Sequence, residues 1–198
     1  VGFPEEASGL LVSGGSMANL TGLAVARNAK AGFDIQEKGL QSVSGQMVLY
    51  GSIETHSSVQ KAIELFGLGN ESFRRISVNE NFEIRIEELT KAITKDKADG
   101  LKPFCVIGNA GTVNTGATDD LERLADICEA ENLWFHIDGA FGALAYLSEK
   151  FRPKLKGMER ADSLAFDLHK WMYANYEIGC VLIRDKEKHH RTFFKKFI

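Results

Sequence analysis

Apolar positions along the chain follow two rhythms that take turns. Short unbroken apolar runs such as "GLLV", "MVLY", "FCVI", "LWF", "SLAF" and "GCVLI" have the length of buried strands. Between them lie longer stretches with apolar residues near helical spacing. "SMANLTGLAVARNAKAG" (16–32) places Leu20, Leu23, Ala24 and Ala31 close to one face and ends on Gly32. The pattern predicts a strand running into a glycine turn at 9–15, and further strands at 46–52, 72–78, 103–111, 133–142, 161–171 and 178–185. It predicts helices at 16–32, 56–69, 85–100 and 118–132. The last opens on Thr118, Asp119 and Asp120, residues suited to an N-cap and a first turn.

Regular alternation of strand and helix predicts an α/β fold, a mainly parallel sheet flanked by helices. Ligands of such sheets sit beyond the carboxyl ends of the strands. The polar residues of interest collect there: Ser13 to Ser16, His56, Asn109 to Thr112, Asp138, and His169 with Lys170.

Length and composition narrow the picture. The 198 residues suffice for one domain with a sizeable core, and a charged fraction of 26% is ordinary for a globular chain. A net charge of −3 argues against nucleic acid as a partner. No apolar run approaches the roughly 18 residues of a membrane helix. Cys105, Cys128 and Cys180 are odd in number and widely spaced, which fits neither a disulfide framework nor a zinc site; they read as small buried residues in a cytoplasmic protein. The chain opens on Val1 in what reads as mid-protein sequence and closes on "RTFFKKFI" with two exposed-looking phenylalanines, so a fragment of a longer protein is expected.

Four constellations carry chemistry. In "SGGSMAN", Gly14 and Gly15 allow a tight turn and Ser16 would open a helix, an arrangement that serves either as a capped helix or as a phosphate cradle. It is neither a P-loop nor G-x-G-x-x-G. It does approximate a nucleophile elbow, with Asp138 and His169 following in the order of a serine hydrolase built on Ser16, Asp138 and His169. His56 in "THSSV" precedes a helix, as a cap or as a ring able to stack on a flat ligand. Asp138 ends an apolar strand in "HIDGAFG", where it caps the next element or keeps a ring nitrogen protonated, with Gly139 and Ala140 small enough to admit a planar group. Lys170 in "ADSLAFDLHKW" follows what reads as a buried strand; its side chain either snorkels to solvent or offers a free amine, favoured by burial and by His169, for a Schiff base. An anion cradle, a stacking ring, an acid for a ring nitrogen and an amine for an aldehyde together describe pyridoxal 5′-phosphate. "DKEKHHRTFFKKF" sets His189 and His190 side by side, which is not helical ligand spacing, and reads as a solvated stretch.

The stretches "SGGSMANLTGLAVAR", "HSSVQKA", "GNAGTVNTGATDDLERLADICEAENLWFHIDGAFG" and "ADSLAFDLHKWMYANYEIGCVLIRD" resemble, in order and over most of the chain, the large domain of the pyridoxal-phosphate-dependent group II amino-acid decarboxylases of fold type I. That family includes aromatic amino-acid, glutamate, cysteine-sulfinate and diaminobutyrate decarboxylases. The resemblance implies decarboxylation of an L-amino acid to the amine and carbon dioxide through a Schiff base on Lys170. It implies that Gly15, Ser16 and His169 help hold the phosphate, His56 stacks on one face of the ring and Ala140 packs on the other, Asp138 pairs with the ring nitrogen, and Thr112 lies near the ring oxygen. It implies that residues 1–198 form a pyridoxal-phosphate-binding large domain, with an N-terminal segment, a C-terminal small domain and a mobile loop lying outside it, and with the site at a homodimer interface. Two positions depart from the family: Leu168 stands where proline is common before the histidine, and Asp138-Gly139-Ala140 replaces Asp-Ala-Ala. An aminotransferase or carbon–carbon lyase on the same fold, and an inactive cofactor-binding fragment, are the alternatives.

Overall fold

The computed structural model describes residues 1–194. Seven strands form one sheet: β1 (Ser8–Val12), β2 (Met47–Ser52), β3 (Phe73–Ile76), β4 (Lys102–Asn109), β5 (Trp134–Asp138), β6 (Ser163–Asp167) and β7 (Gly179–Ile183). Their order across the sheet is β1-β7-β6-β5-β4-β2-β3. From β3 to β6 every pairing is parallel. Strand β7 runs antiparallel to both β6 and β1 at the other edge.

Central parallel strands are covered on both faces, which is why they read as continuous apolar runs. All six residues of β2 are buried, and alternate side chains enter different cores. Met47 and Leu49 pack with helices α1 (Gly14–Lys30) and α3 (Ser57–Leu65). Val48 and Tyr50 pack with Leu89 and Ile93 of α4 (Ile86–Ala98) and Leu124 of α5 (Leu121–Glu131). Helix α3 after β2 and helix α5 after β4 thus lie on opposite faces. That opens a crevice at the carboxyl ends of two neighbouring strands, the usual ligand position in an open α/β sheet.

Several sequence expectations need correction. The strand expected to run through Trp171 stops at Asp167, and Leu168–Trp171 form a single helical turn, α6, after the one-turn α2 (Ile35–Lys38) that the sequence reading left unassigned. The apolar run hid the break, because a parallel strand and the turn after it share the same composition. Ser16 does not open α1; the helix starts at Gly14, and Ser13 before it makes no side-chain cap. Of the trio before α5, Asp120 is the cap and accepts from Arg123 N. Asp119 turns inward to accept from Ile84 N and Asn109 N, both at 2.7 Å. The stretch after Asp185 is mostly exposed, as expected, but it forms a helix, α7 (Lys186–Phe193), capped by Asp185, and His189 is buried and bonded to Ser8 Oγ at 2.8 Å. The residues of "KKFI" lie outside the described residues. The three cysteines are free and buried, as expected.

Candidate functional site

Every residue the sequence singled out for the site lines one cavity of about 260 Å3 at the carboxyl ends of the strands: Gly15, Ser16, His56, Thr112, Asp138, Ala140, His169 and Lys170. They arrive from separate parts of the chain. Gly15 and Ser16 lie in the first turn of α1, whose leading N–H groups Ser13 leaves uncapped. Gly15 is needed for a close approach: a Cβ there would lie 2.9 Å from Asp167 Oδ2 and 3.1 Å from Ala140 Cβ. His56 is the N-cap of α3, its Nδ1 accepting from Ser58 N at 3.2 Å, so it is both the cap and a cavity wall. Thr112 sits in the turn after β4 and its hydroxyl meets Thr115 Oγ1 at 2.6 Å.

Asp138 ends β5 and is 6% exposed. Oδ1 accepts from Ala140 N at 3.1 Å and Oδ2 from Asn19 Nδ2 at 2.9 Å. Burial pushes its carboxyl above the ordinary carboxylate value, and the two hydrogen bonds with His56 and Lys170 nearby oppose that shift. Among the described residues no cationic side chain is paired with it. A desolvated carboxylate with lone pairs to spare and no counter-charge is costly, and a cation entering the cavity offsets the cost.

Of the two placements open for Lys170, the structure shows a partly exposed side chain, 38% exposed, on the cavity wall, because α6 turns it out of the sheet. Its Nζ pairs with Asp167 Oδ2 at 2.8 Å. Asp167 is itself buried, and its Oδ1 has no hydrogen-bond partner among the described residues. His169 is held by the backbone of Ile178, with Nδ1 3.1 Å from the carbonyl and 3.2 Å from N, and packs edge-on against Tyr176. With Asp138 bonded to Asn19 and Ala140, and His169 to Ile178, the relay of a serine hydrolase on Ser16 is not assembled.

The departure at Gly139 has a steric reason. A Cβ there would fall 2.6 Å from Ala143 Cβ and 3.1 Å from Leu164 Cδ1, so the alanine common in the family does not fit beside Ala143. The cavity is also lined by Asn19, Ser58 and Asp167, which carry no role in the sequence reading. Behind them, His136 is fully buried and bonds both Ser163 and Asn19. The signal for His136 was present, since it precedes Asp138 by two residues on one strand and so shares its face.

The donor set fits a pyridoxal group: an unpaired carboxylate buried at one point, an uncapped helix N-terminus at another, and a primary amine on the wall between the strands. Comparison with known proteins gives the same answer. The model of the pyridoxal-dependent decarboxylase conserved domain matches residues 1–196. An aromatic-L-amino-acid decarboxylase of Bacillus atrophaeus is 48% identical over 193 residues, covering 98% of this chain and 38% of that protein. The crystal structure of mouse CSAD superposes with a TM-score of 0.92 at 32% identity, over 98% of this chain and 41% of that one. A structure of Oryza sativa TDC with PLP and tryptamine superposes with a TM-score of 0.86 at 27% identity, over 96% of this chain and 39% of that one. The chain therefore spans well under half the length of these relatives, and it belongs to the pyridoxal-dependent decarboxylase family.

Proposed function

We propose that the enzyme carrying this chain removes the carboxylate of an L-amino acid as carbon dioxide and releases the amine, using pyridoxal 5′-phosphate held in the cavity described above. The observation that carries the reading is the buried carboxylate of Asp138, without a cationic partner among the described residues, in the same cavity as the Lys170 amine. Bound pyridoxal phosphate supplies an electron sink for the pair left on Cα when carbon dioxide departs.

The chain's own residues account for the rest. Asp138 supplies the negative charge that keeps a ring nitrogen protonated. Lys170 supplies the amine that attaches an aldehyde, and Asp167 Oδ2, 2.8 Å from Nζ, holds that amine on the cavity wall. Gly15, Ser16, the open end of α1 and His169 form the anion cradle. His56 and Ala140 would hold the planar group between them and Thr112 would meet its ring oxygen; all three line the cavity.

The reading includes a cytoplasmic homodimer. The three free, buried cysteines support a reducing compartment. The exposed Trp171, Met172, Tyr173 and Tyr176 beside the cavity support a subunit boundary there. Among the described residues, no helix is long and apolar enough to cross a membrane.

The test is product analysis with the intact enzyme on a panel of aromatic, acidic and basic L-amino acids. Carbon dioxide and amine in equal amounts are expected. Formation of the keto acid instead would make the enzyme an aminotransferase.

A further inference from the structure

Resting on that reading, we propose that Asn19, backed by His136, is the positioning residue of the site: it holds the Asp138 carboxylate and fixes His56 with its ring proton on Nε2. A count of donors and acceptors leads there. The two N–H groups of the Asn19 amide go to Asp138 Oδ2 at 2.9 Å and to Ser58 Oγ at 3.1 Å. A flipped amide would set its oxygen against the carboxylate, so the orientation is fixed by the network. Asn19 Oδ1 then faces His136 Nε2 at 2.9 Å, and Nε2 carries that ring's proton. His136 is fully buried, which pushes its imidazole down to about 3 and keeps it neutral. Its Nδ1 accepts from the Ser163 hydroxyl at 2.7 Å, and Ser163 Oγ accepts from Trp134 Nε1 at 2.7 Å. Donation thus runs in one direction, from Trp134 through Ser163, His136 and Asn19 to Asp138.

The second branch reaches His56. Ser58 Oγ already accepts from Asn19, so its hydrogen points at His56 Nδ1, 2.9 Å away, and Ser58 N donates to the same atom at 3.2 Å. Two donors on Nδ1 leave the ring proton on Nε2, which makes no hydrogen bond to the described residues and serves the cavity that His56 lines. Gly22 makes the link possible. A Cβ there would lie 2.8 Å from His136 Cε1, so only glycine lets α1 sit this close to β5. The titratable groups around Asp138 are His56 at the head of α3 and Lys170 on α6, with Asp167 behind Lys170. Asn19 is the neutral donor that favours the charged carboxylate.

The test is histidine 15N NMR on the intact protein without cofactor, joined to pyridoxal-phosphate titrations across pH. His56 and His136 are both expected as Nε2–H tautomers at neutral pH. Asn19→Leu is expected to weaken cofactor binding by about ten- to a hundredfold, the loss of a hydrogen bond to a charged group. It should also move the acid limb of binding up by about one pH unit, because Asp138 loses a donor that favours its charged form. His136→Gln, which keeps a donor toward Asn19, should retain the wild-type limb, and His136→Phe should not. A proton on Nδ1 of His56, or an unmoved acid limb in both Asn19→Leu and His136→Phe, overturns the proposal. Wild-type protein that binds no pyridoxal phosphate overturns the cofactor reading instead, and the tautomers alone then decide this one.

Discussion

Asp96 and Asp138 are both buried aspartates, and the chain treats them in opposite ways. Asp96 on α4 accepts from Arg74 Nε at 2.9 Å and Nη2 at 3.1 Å, and from the Tyr50 hydroxyl at 2.9 Å. Its charge is answered inside the fold. Burial and that carboxylate push the Tyr50 hydroxyl up, and the same carboxylate raises Arg74. Asp138 receives one side-chain amide and one backbone N–H, and its neutralisation is left to whatever enters the cavity. Asp119, which accepts from Ile84 N, Asn109 N and Asn109 Nδ2, belongs with Asp96 as a structural carboxylate. Asp119 also lacks a cation, but three donors of the chain satisfy it away from the cavity; a buried acid that lines the cavity with only two donors and no cation serves a ligand.

Three experiments break or sharpen that contrast. The largest effect is expected at Asp96. Asp96→Ala strands the buried Tyr50 hydroxyl and unpairs the partly exposed Arg74, and should cost about 2–3 kcal/mol of stability in urea unfolding. Cofactor affinity of the folded fraction should stay unchanged. A cost under about 1 kcal/mol would put Asp96 in the class of weak surface pairs.

Asp138→Asn comes next, with the opposite profile. Turnover in the intact enzyme should fall about a hundredfold or more, since a charge aimed at the reacting group is gone. Stability without cofactor should not fall, because relief of the buried charge outweighs the one donor, Ala140 N or Asn19 Nδ2, left facing the new amide NH2. Because the folded carboxyl is raised, the native state binds the extra proton between the ordinary carboxylate value and the raised one. Stability therefore drops as pH climbs through that window, and at pH 7 the wild type carries a cost that asparagine lacks. A lower melting temperature for cofactor-free Asp138→Asn at pH 7 would contradict this.

The smallest effect is the acid response set by His136. Its imidazole ordinarily titrates near 6.5 and is pushed down to about 3 by burial, so the unfolded chain binds the proton first as pH falls. Stability is full above about 6.5 and is lost below it, by about 2 kcal/mol at pH 5. His189 is also lowered by burial and adds to the slope, so the His136→Gln variant isolates the part due to His136. Urea midpoints at pH 7 and pH 5 should converge in that variant relative to wild type.

Much of this was legible in the sequence. Strands such as β2 and β4 are buried on both faces and announce themselves as apolar runs, and the helices between them carry a clear period. Sheet order and the antiparallel pairings of β7 were not legible, because pairing partners such as Ser8 and Ile183 lie at opposite ends of the chain. Glycine, histidine, aspartate and lysine at strand ends exposed the site residues. The residues that support them stayed hidden: Asn19 is an ordinary helix residue until folding brings it to His136 and Asp138, 117 and 119 positions away. The one-turn α6 was missed for a local reason, since Leu168 continues the apolar run of β6 past its end.

Lys170 and Asp138 line one cavity, and a pyridoxal-phosphate titration of the intact enzyme, followed by borohydride reduction and peptide mass mapping, tests whether that cavity takes the cofactor. The account predicts a reduced adduct on the peptide that carries Lys170, lost in Lys170→Ala. An adduct on another lysine, or none at saturating cofactor, would contradict it.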